Sequence, residues 1–244
     1  MAYLKTYYPH EFMAAMMTGE AGNSAKITRY RAECKKLADF LDVEINLLPP
    51  DVNTSNREFK VDGNDVCFGL VAVKGVGDGA IDAIVEARKK GGSFTSLQDF
   101  CERVDIKQLN KRAVESLVMS GAFDSLEGHR AQHVASLENI MKVAQNAQAE
   151  RDRGQMSLFG EGEEAPAVTV TLAEVSEYEP LERLMLEKEQ LGFYVSGHPL
   201  EEYSDIIENY TRNQTHPTPV SYTHLRAHET VLDLVCRLLL EKKK

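Results

Sequence analysis

The sequence has no C-x-x-C pair, no apolar run long enough to cross a bilayer, and no long internal repeat. Each absence removes a class of protein. The four cysteines, Cys34, Cys67, Cys101 and Cys236, stand far apart, which argues against a zinc site and offers no disulfide framework. That usage fits a reducing cytoplasm, the compartment expected here. A membrane-spanning helix needs roughly 18 apolar residues in a row, so no membrane partner is expected. Residues 1–12 lack the basic and apolar stretches of a secretory signal.

What is present is ordinary in bulk. Of 244 residues, 43% are hydrophobic and 27% charged, which excludes collagen-like and wholly disordered chains and leaves room for one large domain or two small ones. The net charge of −10 is unevenly placed. Residues 71–120 carry eight Lys and Arg against seven Asp and Glu, while residues 151–208 carry four against fourteen. The whole acidic excess therefore sits in the second stretch. A ligand responds to the local field and not to the sum, so a nucleic-acid partner for the first stretch stays open.

Residues 220–244 are set aside as non-native. The string VSYTHLRAHET and the ending LVCRLLLEKKK read as one frame of sequencing-adapter DNA, the closing lysines coming from an adenine run. His224, His228 and Cys236 are then no metal ligands, despite the i, i+4 spacing of the histidines. A truncated read is expected, with Met1 either an internal methionine or a biological start.

Apolar periodicity predicts helices over 11–18 and 25–42, split by the breaker cluster at 19–23, with Ser24 as N-cap of the second. Two short strands are predicted at 58–61 and 66–73. Between them Asp62-Gly63-Asn64 is a hairpin signal, because glycine accepts the positive φ that such turns need. Helices follow at 78–90, 96–103, 108–121 and 129–150. Residues 151–169 are rich in Gly, Glu and Pro without an apolar period and read as a linker. A further helix at 179–191 leads into a loop over 192–200.

The string Lys74-Gly75-Val76-Gly77-Asp78-Gly79-Ala80 follows an apolar run and opens a helix. Gly75, Gly77 and Ala80 satisfy the dinucleotide pattern G-x-G-x-x-A. That pattern requires a second parallel strand carrying an acidic residue about 20 positions on, and the sequence supplies Gly91-Gly92-Ser93 and another helix instead. A helix-hairpin-helix fits better. Small residues let backbone N–H groups and a helix N-terminus approach a phosphate, whose charge the helix dipole favours. Ala80, Ile81, Ile84 and Val85 would pack that helix on its partner, and Lys74 would add a phosphate contact. A second hairpin is expected around 104–107, with Lys107, Lys111 and Arg112 at the start of its second helix. It has no glycines, so its backbone contact is the weaker expectation. For both hairpins the alternative is helices and turns that only pack. The fold class is thus mainly α with a small β element near residues 58–73, a tandem helix-hairpin-helix and a flexible acidic linker.

Within the linker, Gln155, Met156, Ser157, Leu158 and Phe159 lie between Gly154 and Gly160. An adjacent Leu and Phe in a polar segment point to a partner's pocket, with the Gln amide at its rim; the alternative is a chance apolar pair packing on its own domain. Affinity for so small a patch is on the order of micromolar, made useful by avidity. Other eye-catching residues read as structural: His198 reads as a loop histidine with a structural role, and Glu187, Glu189, Glu201 and Glu202 read as solvated faces. Tyr7, Tyr8 and Phe12 read as core residues before base-stacking ones.

Several strings, in order and at matching spacing, make the chain similar to a known family. They are Tyr8-Pro9-x-Glu11-Phe12-Met13-Ala14-Ala15, Gly69-Leu70-x-Ala72-Val73-Lys74-Gly75-Val76-Gly77, Asn110-Lys111-Arg112-x-x-x-Glu115-Ser116-Leu117, Gly121-Ala122-Phe123-Asp124 and Leu191-Gly192-Phe193-Tyr194-x-Ser196-Gly197-His198-Pro199-Leu200. From about residue 2 to 215 the chain resembles the alpha subunits of bacterial DNA polymerase III, the C-family replicative polymerases. The resemblance implies distal fingers at 1–70, a duplex-gripping tandem helix-hairpin-helix at 71–128 and a helix at 129–150. It implies a linker at 151–169 whose Gln155 to Phe159 segment binds the sliding clamp, and a helical segment at 170–215 before an OB-fold. Duplex DNA, the clamp and other holoenzyme subunits are the implied partners. The family is a DNA-directed DNA polymerase, a nucleotidyltransferase whose palm aspartates hold two Mg²⁺ ions. That palm has no counterpart in this sequence, so no catalytic residue and no cofactor are assigned, and the chain alone is expected to be inactive. The alternative is a freestanding helix-hairpin-helix DNA-binding or repair accessory protein. A third reading is a protein-interaction module whose hairpin never touches DNA.

Overall fold

The computed structural model describes residues 2–152, 170–200 and 203. Gln155, Met156, Ser157, Leu158 and Phe159, with the other residues of 153–169, Glu201, Glu202 and the segment 220–244, lie outside the described residues. The chain divides into a unit over 1–199 and a second over 200–244. Of the second, Leu200 and Tyr203 are described, the Tyr203 amide donating to the Leu200 carbonyl at 3.0 Å.

Helices α1 (Ala2–Tyr7), α2 (Pro9–Gly19) and α3 (Ser24–Leu41) come first. Pro9 stands in the first turn of α2, where its missing N–H has no partner to lose. The breakers fall between α2 and α3 as expected, but Asn23 takes the capping role expected of Ser24. The Lys26 amide donates to the Asn23 side-chain oxygen at 3.2 Å, and Ser24 is already helical. Asn and Ser cap about equally well, so composition alone does not choose between neighbours. Tyr7 and Tyr8, expected in the core, are 66% and 50% exposed, while Phe12 packs against it.

The sheet comprises β1 (Asn46–Leu48), β2 (Lys60–Asp62) and β3 (Asp65–Cys67), in the order β1-β3-β2. β2 and β3 form the expected antiparallel hairpin, with Asp62 opposite Asp65 and Gly63 at φ +61°. β1, parallel to β3, went unpredicted because three residues carry no period. The strand expected at 66–73 stops at Cys67 and gives way to a 3-10 turn, Leu70–Ala72, with Leu70 and Ala72 buried. A short apolar run does not distinguish a buried turn from a buried strand.

Helices α4 (Asp78–Gly91), α5 (Leu97–Arg103), α6 (Lys111–Met119), α7 (Arg130–Asp152) and α8 (Pro180–Leu191) complete the described elements. Two starts are set by side-chain caps: Ser96 Oγ accepts from the Asp99 amide at 3.1 Å and Asn110 Oδ1 from the Ala113 amide at 2.7 Å. Helix α7 continues through Asp152, two residues into the expected linker. The expected helical segment at 170–215 begins without helix. Residues 170–179 run irregularly across α5 and α7, the Val170 amide donating to Gln98 Oε1 and the Ala173 amide to Ser136 Oγ, both at 2.8 Å.

The core forms where α7 packs on α5 and α6, and α8 on α6. Phe94, Phe100 and Phe123 meet edge to face at centroid distances of 5.0 and 4.9 Å. Cys101 is fully buried, and that burial pushes its thiol up to about 12, as it pushes Cys34 to about 11. Both therefore stay protonated and unreactive near neutrality. Glu187 corrects the expectation of a solvated face, for it is fully buried. Its Oε2 accepts from the Val195 and Ser196 amides, each at 3.1 Å, and from Ser196 Oγ at 3.0 Å. It holds the loop after α8 in place. Among the described residues no helix is long and apolar enough to cross a membrane.

Candidate nucleic-acid interface

The bend at residues 74–79 leaves the buried Val73 and runs exposed into α4. Gly75 sits at φ +81°, and a Cβ there would lie 3.1 Å from Ser116 Oγ, so conformation and space both call for glycine. Gly77 differs. It has ordinary extended backbone at φ −81°, ψ 160°, and a Cβ there would meet nothing within 4 Å. The fold therefore makes no demand for glycine at 77, and the empty space lies on the exposed side of the bend.

Ala80, Ile81 and Ile84 are buried and Val85 half-buried, so α4 is laid on the core, but the partner helix expected before the bend is only the 3-10 turn Leu70–Ala72. Its first full turn has no preceding carbonyls. The amides of Gly77, Asp78, Gly79 and Ala80, with that of Gly75, find no acceptor among the described residues. These unpaired N–H groups and the helix dipole make the bend electropositive at its backbone.

The bend is held from behind. The Lys74 amide donates to the Gln190 carbonyl at 3.1 Å and its ammonium to the Glu189 carbonyl at 3.0 Å, both at the C-terminal end of α8. One of the three ammonium donors of Lys74 is thus committed inside the protein. A cavity of about 420 Å³ brings Lys74 and Gly75 together with Arg112 of the second hairpin. The hairpins also adjoin at Gly79, where a Cβ would lie 2.6 Å from Gln108 Oε1.

The second hairpin achieves its turn without glycine, through a residue that sequence reasoning missed. Gln148 of α7 donates from Nε2 to the carbonyls of Cys101, Glu102 and Val104 at 3.2, 3.2 and 2.7 Å, and its Oε1 accepts from the Ile106 amide at 3.3 Å. It closes the end of α5 and fixes the turn that follows. Lys111 is paired with Glu138 at 3.4 Å and with Glu115 at 3.9 Å, so its charge is partly balanced. Lys107 is exposed, its amide bonded to the Asp105 carboxylate at 2.9 Å. A second missed residue is Arg57, whose guanidinium joins Asp78 at 2.7 Å and Asp82 at 3.1 Å beside the bend. No local pattern marks Arg57, which lies far upstream of its partners.

Other chemistries find no support in this arrangement. Among the described residues no strand follows α4, which removes the dinucleotide reading of Gly75, Gly77 and Ala80. Also among them, no group of three or more His, Cys, Asp or Glu side chains could hold a metal ion. The residues do not fit a two-metal polymerase centre, and no catalytic step is derived from them.

Two adjoining turns, one leading from the 3-10 turn Leu70–Ala72 into α4 and opening on unpaired amides, the other from α5 to α6, have the form of a tandem helix-hairpin-helix whose first helix is shortened to that 3-10 turn. A family model described as a helix-hairpin-helix motif matches residues 44–133. Over most of its length the chain is also similar to curated proteins named DNA polymerase III subunit alpha. It is 41% identical to that of Vibrio cholerae over 221 residues, 88% of this chain and 19% of the relative. It is 41% identical to that of Deinococcus radiodurans over 209 residues, 85% of this chain and 15% of the relative. With that of Thermus aquaticus it shares 44% over 207 residues, again 85% of this chain and 16% of the relative. Over the matched residues the chain resembles a fragment of a DNA polymerase III alpha subunit, and it spans less than a fifth of the length of each of these relatives.

Proposed function

We propose that this chain is the duplex-gripping and clamp-tethering part of a replicative DNA-directed DNA polymerase. The observation that carries the grip is the row of unpaired amides from Gly77 to Gly79 on an exposed bend. A phosphate set against them would accept charge-assisted hydrogen bonds at the positive end of α4. Lys74 and Arg112, facing one cavity, and the exposed Lys107 would add cations along the backbone, with Lys111 contributing less because Glu138 and Glu115 share it. Such contacts fix position on the duplex without reading bases. That suits a polymerase, which must hold any sequence. Nucleotidyl transfer, the chemistry proposed for the whole protein, is assigned to no residue of this chain.

Log affinity for duplex is expected to fall with log salt at a slope of about −0.9 per phosphate contact, and a flat response would leave only a protein-interaction role. Gly77→Val tests the bend itself. Since a side chain at 77 meets nothing in the protein, the variant is expected to keep its thermal midpoint. Duplex affinity is expected to fall about tenfold, the size of one or two lost amide–phosphate bonds. Unchanged affinity in the folded variant would reject contact at the bend.

The tethering role rests on Gln155, Met156, Ser157, Leu158 and Phe159, in the family's order downstream of the hairpins. Replacing Leu158 and Phe159 together with alanine is expected to abolish capture by the sliding clamp and leave duplex binding intact. Loss of both activities at once would place the pair in the folded core instead. Other subunits of the replicative holoenzyme are the remaining proposed partners.

A further inference from the structure

The amides that would hold a phosphate share their end of α4 with two carboxylates. Asp78 is the first residue of the helix and Asp82 lies one turn on, with side chains 68% and 66% exposed. A carboxylate in the first turn competes for the same positive helix end as an incoming phosphate, and repels it. Two of them one turn apart would make this bend a poor anion site. Arg57 stands between them, one guanidinium nitrogen 2.7 Å from Asp78 and another 3.1 Å from Asp82.

The position of Arg57 is built in through its backbone. Its carbonyl accepts from the Val71 amide at 3.1 Å, and the neighbouring Asn56 carbonyl accepts from the Leu70 amide at 2.9 Å. Those bonds fasten residues 56 and 57 to the turn that feeds the bend. Gly69 lets the two segments touch, since a Cβ there would lie 2.9 Å from the Arg57 carbonyl oxygen. The guanidinium is thereby delivered to the first turn of α4 by the element that positions the unpaired amides.

We infer that Arg57 is a positioning residue for the duplex grip: it neutralises Asp78 and Asp82 so that a phosphate can reach the α4 amides. The inference rests on the grip proposed above. It separates two uses of one arginine, a shield for carboxylates and a direct phosphate ligand, which single substitutions do not distinguish.

A double-mutant cycle on the full 244-residue chain does distinguish them. Affinity for a random-sequence duplex would be measured across salt for the wild type, Arg57→Ala, the pair Asp78→Asn with Asp82→Asn, and all three together. Thermal unfolding would confirm that each is folded. Arg57→Ala is expected to weaken binding about fivefold at low salt, the scale of an exposed charge interaction. In the Asn/Asn background the same change should cost less than about twofold, because nothing is left to shield. Arg57→Lys, which keeps the charge, should recover most of the affinity.

An equal loss in both backgrounds, with the salt slope shallower by about 0.9, would make Arg57 a phosphate ligand and overturn the shield. No loss in the wild-type background would overturn it as well. Either result leaves the grip standing. A wild type whose binding ignores salt would remove grip and shield together.

Discussion

Gly69→Ala is expected to destabilise the protein by about 3 kcal/mol, the upper range for overpacking a close-packed interior. The backbone at 69 is unremarkable, φ −78° and ψ 135°, so the cost is not conformational. It is spatial. A Cβ would lie 2.7 Å from the Glu58 carbonyl carbon, 2.8 Å from the Phe59 nitrogen and 2.9 Å from the Arg57 oxygen. These are backbone atoms, which cannot swing aside as a side-chain tip can. Separating the segments would also strain the bonds from Leu70 to Asn56 and from Val71 to Arg57, and so loosen the route into the bend. Chemical denaturation gives the test, with Gly77→Ala as a control expected to be neutral or slightly stabilising. A Gly69→Ala midpoint matching the wild type would show that the two segments are not in contact.

The second large effect is asymmetric. Arg130 opens α7 with its side chain only 3% exposed, while its partner Asp124 is 48% exposed. Arg130 Nε donates to Asp124 Oδ1 at 2.9 Å, one terminal nitrogen to Oδ2 at 2.6 Å and the other to the Met119 carbonyl at 3.3 Å. Removing the carboxylate strands a buried guanidinium, whereas removing the arginine leaves a carboxylate that water can reach. Asp124→Ala is therefore expected to cost about 3 kcal/mol or more, and Arg130→Met distinctly less. Unfolding of the two variants side by side decides it. Equal losses, or a smaller loss for Asp124→Ala, would mean that the guanidinium finds solvent or another acceptor.

The sequence spoke most clearly where structure is locally determined. Helices α4 to α8 fall where apolar period and breakers put them, and the glycine bend stands where small residues cluster. The turn at Gly63 likewise follows from short-range chemistry. What was illegible depends on partners distant in the chain. Gln148 reaches back 44 residues to the Val104 carbonyl, and the ammonium of Lys74 meets an acceptor 115 residues ahead. In a polar helical stretch Gln148 looks like any solvated glutamine. Glu187, followed by Lys188 and Glu189 on α8, looks solvated for the same reason, and is buried because the chain folds back over it at Val195 and Ser196. The match of Gly121-Ala122-Phe123-Asp124 to a family string located Asp124 without revealing its partner. Gly121 itself, at φ +88°, leaves the space that Arg130 occupies, since a Cβ there would lie 2.3 Å from a guanidinium nitrogen.

The attachment of Lys74 to the end of α8 sets a boundary on modularity. Cutting out the stretch that bears the motif, 44–133, and grafting it elsewhere would discard the Glu189 and Gln190 carbonyls. The graft would carry the bend without its rear support. A graft that keeps this geometry would thus have to carry α8 as well, so two stretches far apart in the sequence share one support.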